Sequence, residues 1–89
     1  MSILYLCTCP YGQNGMLYIF IVPFKNKFRI RITREFSGPD VAKPITEATL
    51  IDAVKSAEKI IRRSSWLSGP ETEKLIKVSR TIYLGEDYA

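Results

Sequence analysis

The chain has no histidine, two cysteines and five glycines in 89 residues. Each scarcity removes a class of function. Without imidazole there is no ready general base near neutral pH and no histidine to bind a metal. Zinc takes about four ligands, so Cys7 and Cys9 would serve only in a site shared between two copies. Cys7-Thr8-Cys9 is also no disulfide framework. The pair points to a reducing compartment and reads as two small core residues on one face of a strand. Gly12 to Gly15 lacks the lysine and the helix start of a phosphate-cradling loop. The serines at 64, 65, 68 and 79 have no evident base, and Asp40, Asp52 and Glu58 form no obvious pair. The expectation is a protein that is not an enzyme and holds no cofactor or metal.

Long apolar runs are also missing. Residues 16 to 24 are nearly all apolar, but the run is too short to span a bilayer. The opening Ser2 to Cys7 stretch lacks the basic region of a signal peptide. These absences point to a cytoplasmic protein with no membrane contact.

What is present suits a single domain over residues 1–89. The hydrophobic fraction is 46% and the charged fraction 25%, enough apolar material for a core and too much for disorder. Net charge is +4, a mild bias for a nucleic-acid module. The charge is unevenly placed: positions 25 to 34 hold five bases and no acid, while the tail after Leu84 holds Glu86 and Asp87 and no base.

The patterning predicts an α+β fold, a three-stranded antiparallel meander followed by two helices packed on one face. The strands are expected at about 3–9, 16–23 and 27–36, with Asn14-Gly15 as a hairpin signal and a turn over Pro23 to Asn26. Pro39 and Pro44 with Gly38 exclude a helix over 37–45, where a short edge segment around Val41 to Ile45 fits. A helix is expected over about 46–64, starting at Thr46 or Thr49, with Leu50, Val54, Ala57 and Ile61 on its apolar stripe. Its polar side would carry Lys55, Lys59 and Arg62, with Glu58 placed to pair with Arg62. Trp66-Leu67 should pack down. Ser68 and Glu71 have capping-box spacing and Pro70 suits a first turn, so a second helix is expected over about 70–83. Its stripe would be Leu75, Val78 or Ser79, and Ile82, with Gly85 as its end.

The most informative stretch is Lys27 to Arg34. It alternates strictly: Phe28, Ile30 and Ile32 on one face, Lys27, Arg29, Arg31 and Thr33 on the other. An unpaired buried guanidinium is too costly for that basic face to be core. Two registers against the preceding strand are open. If Lys25-Asn26 is a two-residue turn, Val22 faces Arg29, Phe20 faces Arg31 and Tyr18 faces Thr33. A loop one residue longer would instead send Phe20 and Val22 into the core and put Ile19 and Ile21 beside the arginines. The arginines would otherwise lie over apolar neighbours and pair with Glu35 or Asp40.

Two functions fit. One is a small protein-binding inhibitor or adaptor, of the kind phages and mobile elements direct at host machinery. Its contact surface would be Tyr18, Phe20, Lys25, Lys27, Arg29, Arg31 and Arg34, on a sheet face that a single layer of helices leaves open. The alternative is a nucleic-acid-binding module in which the basic residues track phosphates and Tyr18 or Phe20 stacks a base. An edge strand and an uncovered face also invite a homodimer.

Overall fold

A computed structural model of the chain describes residues 2–35 and 38–85. The elements run β1 (Tyr5–Tyr11), β2 (Gly15–Phe24), β3 (Lys27–Thr33), β4 (Ile45–Glu47), α1 (Leu50–Ser64) and α2 (Gly69–Leu84). The sheet is antiparallel, in the order β1-β2-β3-β4. The α+β meander with two helices is therefore present, with a fourth short strand added at one edge.

The two hairpins are closed by different means. Lys25 and Asn26 both have positive φ, 49° and 64°, as a two-residue turn of the primed type requires. That turn sets Val22 opposite Arg29, Phe20 opposite Arg31 and Tyr18 opposite Thr33, the first of the two registers. The first hairpin is displaced from the Asn14-Gly15 signal. Its three-residue loop is Gly12 to Asn14, and the positive φ of 68° falls on Gly12. Gly15 is already in β2, where a Cβ would lie 2.9 Å from the Tyr11 carbonyl oxygen.

β3 stops at Thr33, short of the expected Phe36, which lies outside the described residues, as do Glu86 and Asp87. The chain folds back beside β3: Gly38 N–H donates to the Glu35 carbonyl at 2.9 Å and Val41 N–H to the Ile32 carbonyl at 2.8 Å. β4 then takes Ile45–Glu47, so α1 begins later than position 46. Thr49 is its cap, accepting from Asp52 N–H at 3.1 Å. Ser68 caps α2 and accepts from Glu71 N–H at 3.3 Å.

Both helices lie on the same face of the sheet. Tyr5, Cys7, Cys9, Leu17, Ile19, Ile21, Ile30 and Ile32 meet Ala53, Val54, Ala57, Ile61 and Ile76 in one core. α1 buries Val54, Ala57 and Ile61 of its predicted stripe and half-buries Leu50, but α2 does not bury its own. Val78 and Ile82 are 56% and 67% exposed, Leu75 is half-buried, and the helix instead buries Thr72, Ile76 and Ser79. Trp66 does not pack down; it is 64% exposed. Among the described residues, no helix is long and apolar enough to cross a membrane.

Candidate contact surface

The register gathers most of the expected contact residues on the helix-free face. Tyr18 and Phe20 on β2 stand across from Thr33 and Arg31 on β3, with Arg29 and Lys27 farther along the same side. Lys25 sits at the hairpin end, its ammonium 5.3 Å from the centroid of the Phe24 ring. Phe24 has the same parity as Phe20 and is the member of this surface that the sequence reading left out. The Arg29 guanidinium lies over it, its Cζ 3.5 Å from the ring centroid. Arg31 lies 5.4 Å from the Phe20 centroid, and its Nε–H donates to Asp40 Oδ1 at 3.0 Å.

This face is less open than a bare sheet. Phe20 and Val22 are buried, although neither belongs to the core under the helices. Their cross-strand neighbours are Arg31 and Arg29, whose aliphatic stems suit them to cover apolar surface. One polar atom stands out. Arg29 Nε is buried and has no hydrogen-bond partner among the described residues.

Arg34 does not join the other bases. One residue beyond Thr33, the alternation turns it to the helix side. There it lines an open groove of about 380 Å³ together with Lys43 and Arg63. The groove has apolar walls from Leu17, Ile32, Val41, Ile45 and Ile60, and among the described residues no acidic side chain lines it. Arg34 also stands over the Tyr11 ring, 5.8 Å from its centroid. The basic run of 25 to 34 is thus divided between the two faces of the sheet. Lys43 and Arg63 come from separate segments, and no local pattern links them to Arg34.

A buried polar cluster sits between the helices. Glu58, 2% exposed, accepts two hydrogen bonds from Arg80, at 2.6 and 2.5 Å. The expected Glu58–Arg62 pair is not formed; Arg62 instead makes a two-pronged contact with Glu73 at 2.7 and 2.9 Å. Those hydrogen bonds hold the Glu73 carboxyl below its ordinary range. The spacing of Glu58 from Val54 and Ile61 marks the buried side of α1, and that was the available signal. The Tyr5 hydroxyl is buried beside this pair without a well-formed hydrogen bond, and burial pushes its pKa well above the ordinary value. Cys7 and Cys9 are free and buried on the same strand. Burial raises both thiols, Cys9 to about 11, so neither is a ready nucleophile at neutral pH. Among the described residues, no group of three or more Cys, Asp or Glu is placed to hold a metal ion.

No protein-family model matches this chain, and neither does any curated protein or solved structure.

Proposed function

We propose that the chain is a small non-catalytic binding protein, an inhibitor or adaptor, that docks an acidic protein surface onto the helix-free face of its sheet. The observation that carries this reading is the Arg29–Phe24 stack. The guanidinium lies over the ring at 3.5 Å, and its buried Nε has no partner among the described residues. An arginine already fixed in place loses little freedom on binding, and arginine and aromatic side chains dominate protein contact centres. Lys25, Lys27 and Arg29 extend the positive field, while Asp40 is engaged by Arg31.

The same geometry removes two of the three aromatic rings on this face as platforms for base stacking. Phe20 is buried, and the face of Phe24 is taken by Arg29. The test is affinity capture from the native host with wild type, Arg29→Glu and Lys55→Glu, the last on the exposed side of α1. The reading expects a protein recovered stoichiometrically by wild type and Lys55→Glu and lost with Arg29→Glu. Capture of nucleic acid alone, weakening steeply with salt, overturns it in favour of phosphate binding.

A further inference from the structure

Two uncovered features lie along one side of the molecule. β1 is an outer strand and, among the described residues, pairs with β2 alone. It is seven residues long and carries no charge. The opposite edge, β4, has three residues and includes Glu47. Natural edges are guarded by shortness or charge; β4 has both and β1 has neither. Above this unguarded edge runs α2, which touches β1 and α1 but does not reach β2. Arg80 and Glu73 tie one of its sides to α1. At about 100° per residue, Val78 and Ile82 lie roughly 160° around the helix from Arg80. They therefore face away from α1, outward past the edge of β1, with half-buried Leu75 in the same stripe.

We propose that this side is a self-association surface. Two copies join their β1 strands antiparallel about a two-fold axis, and the Leu75–Val78–Ile82 stripes meet above the joint. Charge makes this the side on which a second copy meets least repulsion. A chain of net charge +4 repels itself over most approaches, and the β1 edge is a long strand with no charge, two strands away from the basic β3. The pairing is self-complementary, since a two-fold sets residue i against j and j against i. Pro10 has no N–H to offer and stands near the loop end, so Tyr5 to Cys9 carries the backbone bonds.

The size fits a reversible dimer. A seven-residue strand spans about 24 Å, and the molecule is 19 Å thick. The footprint is on the order of 450 Å² against the ~800 Å² per partner of a stable complex. Two four-stranded sheets become one of eight, with all helices on one side. The helix-free basic faces then lie side by side, so a dimer offers its partner two contact surfaces.

Sedimentation from about 1 to about 200 micromolar tests the proposal. Wild type should shift from monomer to dimer mass, while Val78→Glu/Ile82→Glu should keep its circular dichroism spectrum and weaken the dimer at least about tenfold. If the glutamates disturb folding, Val78→Gln/Ile82→Gln serves. Hydrogen exchange of the β1 amides should slow as wild type dimerises. A wild type that stays monomeric throughout overturns the proposal, as does a dimer unaffected by either variant or β1 exchange that ignores concentration. None of these readouts depends on the heterologous partner, so this proposal and the proposed function fail separately.

Discussion

α1 and α2 are nearly equal in length, capped alike, and packed on the same sheet face, yet they use their sequences in opposite ways. α1 buries most of its apolar stripe. α2 turns Val78 and Ile82 outward and buries Thr72 and Ser79 beside Ile76. The difference follows from position. α1 contacts all four strands, so the centre of its apolar face finds a floor. α2 has only β1 beneath it and α1 beside it, and two ion pairs fix its rotation. A periodic stripe tells which residues share a side of a helix, and the neighbours decide which side goes in.

The largest effect should come from breaking the tie that sets this rotation. Arg80→Met leaves Glu58 buried and unpaired, which costs about 3–5 kcal/mol when a buried pair loses one partner. Replacing both residues, Glu58→Leu with Arg80→Met, should restore most of that loss. Denaturant unfolding of the single and double variants checks it, and equal losses would mean the pair does not act as a unit.

Next in size is a matched pair of truncations. Ile61→Ala on α1 removes a fully buried side chain and should cost about 2–5 kcal/mol. Ile82→Ala on α2, at 67% exposure, should cost under about 0.5 kcal/mol in dilute monomer. Thermal melts at low concentration separate the two, and comparable losses would mean that the outward stripe of α2 is covered in the monomer.

The same contrast marks what was legible in the sequence. Strand alternation placed Arg29 and Arg31 opposite Ile30 and Ile32, because side-chain parity is local, but two registers stayed open until the positive φ of Lys25 and Asn26 selected one. Cap spacing located the start of α2 at Ser68 and offered Thr49 as one of two starts for α1. The partner of Glu58, the outward turn of Val78, the exposure of Trp66 and the meeting of Arg34 with Lys43 and Arg63 are contacts between distant segments, and no local pattern carries them. Arg29 and Arg31 lie over Phe24 and Phe20 and are only partly exposed, so charge reversal there removes packing as well as charge.

The smallest effect uses alkali to set the α2 side of the core against the α1 side. Tyr5, Cys7 and Cys9 all belong to β1, the strand under α2, and burial raises the pKa of each. A group whose folded pKa is raised keeps its proton in the native state while the unfolded chain has already lost it. Its contribution is complete below the ordinary thiol value and falls as pH rises from about 9 toward 11, by at most about 1.4 kcal/mol per pH unit per group. Stability should therefore be flat from neutrality to about pH 8.5 and decline beyond it. Cys9→Ala should lower stability at every pH yet flatten that decline, since it removes one of the groups that titrate. Hydrogen exchange corrected for the intrinsic pH dependence should show β1 and α2 loosening before α1 and β3. Uniform loosening would mean that the thiols and Tyr5 do not confine the alkaline loss to one side, and that the two helices share a single cooperative core.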